Sequence, residues 1–386
     1  MTPPRPTSPP RPQGPTPQEL PVNDLAAAYQ PRRVWAAGIS IAWNLLIAAV
    51  LIQSRWVWIV CDQLCRLPQA GAAIIPVYIF IYFLAYSLLN YPLELWCGYL
   101  EERQFGLAKE GIRAWTRSWL AGVAQHGWMF VAGSSMLVIM QKLAPANWLV
   151  WMAAGLLGLF VLTTYFAYEL LPRGLFSFDR ADEPTMSRLS QLSGGVELPP
   201  VVFHSAPTLR DFTGGLIGIG PRQILLISRS TLLGASDGVL RFILRHEAGH
   251  RRYHHLLLSA LAGWAWVVAG LALSYRLIPH IGGADAFAKP VYIAYLALTL
   301  SAWMAVGEPL LAYLGRRLEY QADRFYLRHG GSMQEMSQAL AELADRNLAR
   351  TEGLRRRQRF MHPLPSIQAR LFTARLYDEK LASQRN

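Results

Sequence analysis

The sequence predicts a mainly α-helical protein that crosses a membrane about six times and carries a small α+β domain on the cytoplasmic face. The first observation is composition: the 386 residues are 52% hydrophobic and only 16% charged, which is too apolar for an ordinary soluble protein. The second is a series of six long apolar segments. The third is a more polar stretch between the fourth and fifth segments that contains short β-prone runs.

The net charge of +12 and the three cysteines further limit the classes of protein to which the chain can belong. A basic chain can bind nucleic acid, but most Lys and Arg residues here flank the apolar segments or lie in the C-terminal tail. We therefore interpret them as determinants of membrane orientation and as solvated surface, and we expect no nucleic-acid partner. Three cysteines are too few for a disulfide framework. Cys61 and Cys65 either pair or remain free thiols, and Cys97 lies in an apolar run.

Residues 1–33 are predicted to form a disordered, proline-rich arm. Ten prolines lie within residues 1–31, and apolar periodicity is almost absent there. The arm lacks the short basic start and the apolar run of a secretory signal peptide. The apolar segment that follows would itself act as an uncleaved signal anchor.

Each of the six apolar segments is long enough to cross a hydrocarbon core of about 30 Å as an α-helix. The first four form a membrane region over residues 34–171, and the last two lie within residues 256–315. Any single segment could instead be a buried helix of a soluble domain, but six of them favour a membrane protein. The segments cover approximately residues 34–60, 72–99, 118–141, 147–171, 256–279 and 291–315.

The distribution of Lys and Arg predicts that both termini face the cytoplasm. The plasma or inner membrane of a bacterium, or the endoplasmic reticulum membrane of a eukaryote, fits this orientation. On the predicted outer side the only basic residues are Arg55, Arg66, Lys142, Arg276 and Lys289. Most of the others lie in four segments on the side of the termini, which are residues 1–33, 100–117, 172–255 and 316–386.

Residues 172–255 form the main soluble insert. Pro199–Phe203 and Gln223–Ile227 are short β-prone runs bounded by Pro or Gly, and they are predicted strands. The glycine-rich residues 213–220 could cradle a phosphate, but they lack the Lys-Ser/Thr ending and no helix follows directly. A hairpin or edge strand is therefore favoured. Residues 236–255 are predicted to form a helix that continues into the fifth span with little interruption.

This predicted helix contains an H-E-x-x-H motif, residues 246–250. Spacing of four residues places His246 and His250 on one helix face, where two imidazoles can bind one metal ion. Glu247 lies beside them, where it can accept a proton from water. Because the motif precedes the fifth apolar segment by about seven residues, the metal would lie roughly 10 Å from the membrane boundary.

A catalytic zinc site usually has three protein ligands and one open position, so the motif requires another ligand. Glu319 follows the sixth span, on the same predicted side and at a similar height. Asp323 lies on the same helix face, where it could accept an N–H from a ligand histidine. The alternative is a surface helix whose acidic residues pair with neighbouring Arg residues, but the H-E-x-x-H motif favours a metal site. His254 ranks below Glu319 as a ligand, because a three-turn helix face diverges from a single ion.

The other histidines lack a comparable pattern. His126 lies inside a predicted span, where a neutral, hydrogen-bonded imidazole is the simplest interpretation. No pattern supports a role for the remaining four, His204, His255, His280 and His329.

These motifs resemble those of the type I CAAX prenyl protease family and its relatives, which are integral membrane zinc metallopeptidases. Residues 319–323 (EYQAD) are similar to the family's E-[FY]-x-A-D signature, and His362-Pro363 is similar to its His-Pro pair. Residues 99–107 resemble its E-E-R-x-G-F segment, and residues 171–176 resemble its P-x-x-I-x-P-L-F stretch. The likeness extends over roughly residues 75–372.

The resemblance implies a zincin-like catalytic domain with one Zn²⁺ per chain, bound by Glu319 as the third ligand. It also implies that His362 helps to stabilise the tetrahedral intermediate. The family carries Asn-Ala on the strand that holds the substrate. This chain has Thr213-Gly214 there, so Thr213, Gly214 and Gly215 are the predicted substrate-binding residues.

Two further features depart from the family pattern, one residue and the number of membrane spans. The family's Arg six residues after the His-Pro histidine is replaced by Gln368, and Arg370 follows two residues later. The relatives commonly have seven spans, whereas six are predicted for this chain.

The predicted function is a zinc endopeptidase that acts on membrane-associated proteins or peptides, with the bilayer as its other partner. Zinc on His246, His250 and Glu319 would polarise the scissile carbonyl, and Glu247 would act as the general base. Three alternatives remain open: a quality-control protease for misfolded membrane proteins, a membrane sensor whose protease domain cuts a repressor, and a non-catalytic metal-binding scaffold. The short outer loops disfavour the sensor. Glu247 disfavours the scaffold, because a structural zinc site needs no such carboxylate.

Overall fold

The fold is mainly helical, with one small sheet in the soluble insert. A computed structural model of the protein describes residues 24–67, 73–108, 110–169, 177–205, 214–284, 289–347 and 364–385. Before the insert, the described helices are α1 (Asp24–Gln53), α2 (Trp56–Cys65), α3 (Ile74–Leu95), α4 (Glu101–Gln104), α5 (Ile112–Leu143) and α6 (Trp148–Tyr165). A single π-helical turn, Trp96–Leu100, joins α3 to α4.

The insert contains four strands and three α-helices in its described residues, and the C-terminal part is again helical. The insert contains β1 (Ser177–Arg180), α7 (Glu183–Ser193), β2 (Val201–Ser205), β3 (Gly214–Ile217), β4 (Ile224–Ser228), α8 (Arg229–Gly234) and α9 (Asp237–Arg252). The helices that follow are α10 (His255–Leu277), α11 (Pro279–Gly282), α12 (Ile293–Arg328), α13 (Met333–Asn347) and α14 (Ile367–Arg385).

Six helices in the described part of the chain are long and apolar enough to cross a membrane, so the predicted number of spans is confirmed. Much of their surface is apolar and exposed in the isolated chain, as expected for helices that face lipid. The spans cover Ala28–Gln53, Ile74–Gln104, Ile112–Leu143, Trp148–Tyr165, His255–Ile281 and Pro290–Arg328.

The N-terminal part of the chain differs from the prediction in two places. Residues 24–33, assigned to the disordered arm, are helical and extend α1 beyond its apolar segment. They make tertiary contacts: the Tyr29 hydroxyl donates to Glu102 Oε1 at 2.5 Å, and Arg33 lies 3.3 Å from the same carboxylate. The predicted 34–60 segment is also not one helix, because the chain turns at Arg55 (φ 58°) before α2. Both α2 thiols, Cys61 and Cys65, are free.

Two tryptophans join α10 to α12 inside the membrane bundle. The indoles of Trp266 and Trp303 stack with centroids 4.3 Å apart, and each ring N–H donates to the backbone carbonyl of the other residue, at 3.3 and 2.8 Å. Because hydrocarbon offers no acceptor, this pairing satisfies two donors that would otherwise be costly to bury. Gly270 and Gly307 leave the space in which the rings lie.

The sheet has the strand order β1-β2-β4-β3, so β3 lies at an edge. β1 pairs antiparallel with β2, β2 parallel with β4, and β3 antiparallel with β4. Two of these strands correspond to the predicted β-prone runs, and the glycine-rich piece forms the edge strand rather than a phosphate loop. One face of the sheet packs against α7 and α9 through Leu189, Val201, Phe203, Leu225, Ile227 and Leu244.

α9 crosses α12 at very short range because Gly249 has no side chain. A Cβ atom at this position would lie 3.0 Å from Phe325 Cβ and 3.1 Å from Ala322 Cα. The predicted continuation into the fifth span is interrupted instead. α9 ends at Arg252, and His254 adopts φ 53° before α10 begins at His255.

We predict that Gly249→Val lowers the free energy of unfolding by about 1–3 kcal/mol, because the new side chain must displace α12 backbone as well as a ring. Thermal unfolding in detergent would measure this loss. Gly263→Val is the matched control, since nothing lies within 4 Å of a Cβ at that position. Equal unfolding temperatures for the two variants would show that the helix contact is not close-packed.

Candidate active site

α9 presents the H-E-x-x-H motif because its other faces are fixed by packing. The helix begins after Ser236, whose hydroxyl accepts a hydrogen bond from the Val239 N–H at 3.4 Å. The side chains on its apolar side are buried against the sheet, α13 and α14; they are Val239, Leu240, Phe242, Ile243 and Leu244. This burial sets the rotation of the helix about its axis, so that the motif faces α12.

Nitrogen and oxygen atoms from α9 and α12 converge at one point. Nε2 of His246 and Nε2 of His250 are 3.2 Å apart. Glu319 on α12 places Oε2 3.4 Å from His246 Nε2 and Oε1 3.6 Å from His250 Nε2. Ligand atoms about 2.0–2.2 Å from a tetrahedral zinc ion lie about 3.3–3.6 Å from one another, so this donor set fits zinc.

Glu247 is the second carboxylate near these histidines. One of its oxygens and one nitrogen from each of His246 and His250 lie within 4.8 Å of one another. The spacing favours Glu319 rather than Glu247 as the third donor, because both imidazole Nε2 atoms lie 3.4–3.6 Å from the Glu319 oxygens. Glu247 instead accepts a hydrogen bond from the backbone N–H of Leu216, on the edge strand β3.

Asp323 and Arg370 support His246 from the side away from the converging donors. Asp323 Oδ1 is 3.0 Å from Nδ1 of His246, and the Asp323 side chain is 1% exposed. Arg370 on α14 donates to the two Asp323 oxygens through Nε at 2.9 Å and Nη2 at 2.6 Å. Its Nη1 lies 3.5 Å from Glu319 Oε2. Arg370 therefore provides the positive charge for two carboxylates that are largely shielded from water.

Burial and charge move the pKa values of the motif residues in different directions. Burial raises the pKa of Glu247 to about 7, in the range that suits a general base at neutral pH. Burial, assisted by His246, lowers the pKa of His250 to about 3 and leaves this imidazole neutral. Burial also lowers the pKa of His246, but its hydrogen bonds with Asp323 and Glu319 outweigh that effect and bring it to about 9. A metal ion at the converging donors would replace the proton on His246 Nε2.

A cavity of about 270 Å³ adjoins the donor atoms. Glu247, His250 and Glu319 line it on one side. The remaining lining comes from β3 and from the parts of α10 and α12 near α9, and consists of Leu216, His255, Leu256, Ser259, Gly315 and Leu318. The cavity therefore connects the edge strand and the donor atoms with the ends of two membrane helices.

His255 contacts the site, although no sequence pattern supported a role for it. Its Nδ1 lies 2.8 Å from Nδ1 of His250. On the predicted continuous helix, His255 would point about 140° away from His250. The break at His254 (φ 53°) turns it back toward the site. His254 itself is exposed.

Several predicted site residues fall outside the described part of the chain. These are His362, Thr213 and residues 171–176, whereas Gly214 and Gly215 begin the edge strand β3. Within the E-E-R segment, Glu101 is buried and Glu102 binds the start of α1. Arg370, which sequence comparison left without a role, reaches the site from the C-terminal helix.

Comparison with known proteins relates this chain to a peptidase family and to a solved fold. Residues 186–377 match peptidase family M48. The fold is similar to the crystal structure of S. mikatae Ste24p, with a TM-score of 0.75 and 16% sequence identity over 90% of this chain and 87% of that one. No curated protein sequence matches the chain. The family and the fold agree with the resemblance inferred from the motifs, which is thereby confirmed.

We predict that Arg370→Met destabilises the metal-free protein by about 3–5 kcal/mol, because it removes a buried cation that contacts the carboxylates of both Asp323 and Glu319. Arg370→Lys keeps the charge and loses only the bidentate hydrogen bonding to Asp323, so its loss of stability is smaller. Unfolding in detergent with a chelator present would measure both. Arg375→Met on the same helix is the control, because its ion pair with Glu379 is exposed. Equal free energies of unfolding for Arg370→Met and Arg375→Met would show that the buried charge of Arg370 does not stabilise the protein.

Proposed function

This chain is a metallopeptidase with a family M48 domain at residues 186–377, and we propose that it hydrolyses peptide bonds of membrane-associated proteins or peptides at the cytoplasmic face. The observation that carries the proposal is the convergence of His246, His250 and Glu319 at zinc-ligand spacing beside a buried Glu247. Neither helix could supply this set alone, since α9 offers the imidazoles and α12 the carboxylate.

The proposed cofactor is one Zn²⁺ per chain. His246 Nε2, His250 Nε2 and the Glu319 carboxylate would hold it, and Asp323 would orient His246 by accepting its Nδ1–H. When bound, zinc supplies Lewis-acid chemistry, polarising the scissile carbonyl and lowering the pKa of water to about 7.

Glu247 is the proposed general base. The Glu247 carboxylate lines the cavity. The hydrogen bond that it accepts from the Leu216 N–H holds it next to the edge strand. In the proposed reaction it takes the proton of the attacking water and then gives it to the amine that leaves when the C–N bond breaks. His362 remains the proposed donor to the oxyanion.

The edge strand is the proposed site for the substrate main chain. An extended peptide can add to the outer edge of β3 through main-chain hydrogen bonds, which bind many sequences of suitable shape. Gly214 keeps the strand close to α9, because a Cβ there would lie 2.9 Å from Ile243 Cγ2. The close contact brings a peptide on β3 next to Glu247.

The position of the cavity supports membrane-associated substrates. Leu256 and Ser259 belong to the first turns of one candidate span, and Gly315 and Leu318 belong to another. A chain held at the membrane surface would therefore enter without leaving the interface. The cytoplasmic orientation rests on the distribution of Lys and Arg along the sequence.

We predict that Glu247→Gln retains zinc and lowers the cleavage rate by about 10²–10⁴-fold, because an amide cannot accept the proton. His250→Ala should lose both zinc and cleavage. Metal analysis and a peptide cleavage assay on the purified protein distinguish the two effects. Glu197→Gln is the matched control, since that side chain is 88% exposed. Full activity of Glu247→Gln would exclude the proposed base.

The same variant can identify the natural substrates. Cells that carry Glu247→Gln should accumulate uncut membrane-associated proteins that cells with the wild-type protein process. Comparing the two proteomes would reveal them, and accumulation of soluble proteins alone would contradict the proposed substrate class.

We also predict that recognition depends on the substrate backbone. In a peptide that the protein cleaves, N-methylation of one amide next to the scissile bond should raise KM about two- to tenfold, the cost of one lost hydrogen bond. An isosteric change of the side chain at that position should have less effect. The reverse order of effects would argue against binding on β3.

A further inference from the structure

Two hydrogen-bonding side chains, His255 and Gln321, form a line that leads away from the candidate metal ligand His250. The Nε2 atom of His250 faces His246 and Glu319, and its Nδ1 atom lies 2.8 Å from Nδ1 of His255. Nε2 of His255 lies 3.2 Å from Oε1 of Gln321. His255 is 2% exposed, so these contacts are shielded from water.

With a metal ion on Nε2 of His250, one arrangement of protons satisfies every contact in this line. If His250 binds a metal through Nε2, a neutral imidazole carries its proton on Nδ1. His255 Nδ1 must then accept that proton, so its own proton lies on Nε2 and is donated to Gln321 Oε1. In the reverse arrangement, a proton on His250 Nε2 would block the metal position, and His255 Nε2 would face another acceptor.

The backbone is strained at the residue that makes this contact possible. His254 adopts φ 53° and ψ 38°, a left-handed conformation that costs a residue other than glycine on the order of 1–2 kcal/mol. An uninterrupted helix would turn His255 away from His250. Tyr253 also supports the contact, because its ring stacks on His255 with centroids 5.7 Å apart.

We propose that His255, held by Gln321, is a positioning residue for His250. It accepts the Nδ1–H of His250 and so fixes both the tautomer and the orientation of this ligand. Asp323 holds the same relation to His246, with Oδ1 3.0 Å from Nδ1. The inference rests on the proposed metal site.

The test uses the purified full-length protein and three variants. His255→Leu removes the acceptor, whereas His255→Asn keeps an oxygen near the position of Nδ1. His254→Asn is the matched control, because it removes the neighbouring imidazole and Asn tolerates the left-handed conformation. Zn²⁺ affinity is measured by competition with a chelator, and the geometry of the site by the visible absorption spectrum after Co²⁺ substitution.

We expect His255→Leu to weaken Zn²⁺ binding by about 10–100-fold and to alter the Co²⁺ spectrum. His255→Asn should recover most of the affinity, and His254→Asn should behave like the wild type. The inference is overturned if His255→Leu binds Zn²⁺ as tightly as the wild type does. It is also overturned if His255→Asn loses as much Zn²⁺ affinity as His255→Leu. If the wild-type protein itself binds no Zn²⁺, the proposed function fails as well, so the two failures are distinguishable.

A second pair of variants covers the case in which His255→Leu fails to fold. Gln321→Leu keeps both imidazoles and their packing but removes the acceptor of the His255 Nε2–H. It should weaken Zn²⁺ binding by several-fold, and Gln321→Glu should restore it by returning an acceptor. Equal affinities for Gln321→Leu and the wild type would count against the proposed line of contacts.

Discussion

The close crossing of α9 and α12 is the contact on which the rest of the site depends. Two imidazoles come from one helix and a carboxylate from the other, so a small change in their separation would disperse the donor atoms. Gly249 allows the helix backbones to approach. The geometry is also anchored in the membrane, because α12 is itself a candidate span and Trp266 and Trp303 hold it against α10. The membrane helices thus form a rigid support for the candidate site.

The second constraint is electrostatic. Glu247, Glu319 and Asp323 bring three carboxylates into a small region that is largely closed to water, which is unfavourable without compensating positive charge. Arg370 supplies part of that charge through its contacts with Asp323 and Glu319. Imidazolium at His246, or a divalent cation in its place, supplies the remainder. The types of donor atom and the need to neutralise the carboxylates therefore both favour a divalent cation at this point.

Sequence alone predicts those parts of the molecule that depend on local periodicity or on charge distribution. The six spans and the amphipathic α9 follow from apolar spacing, and the structure contains both. Contacts between distant segments could not be predicted in this way: Arg370 is separated from His246 by 124 residues. His255 was missed for a different reason, because a helix break at His254 carries no glycine or proline signal. The extension of α1 to Asp24 depends on tertiary contacts of Tyr29 that propensity does not reveal.

The two histidines of the motif are supported by chemically different partners, and the charge balance accounts for this difference. His246 faces the ionised Asp323, whose charge Arg370 offsets. A second carboxylate behind His250 would need a further cation close to the membrane boundary, where an unpaired charge is costly to bury. An imidazole at His255 accepts the same hydrogen bond without adding charge. A neutral partner on the membrane side and a charged pair on the soluble side would therefore orient both proposed ligands within one buried site.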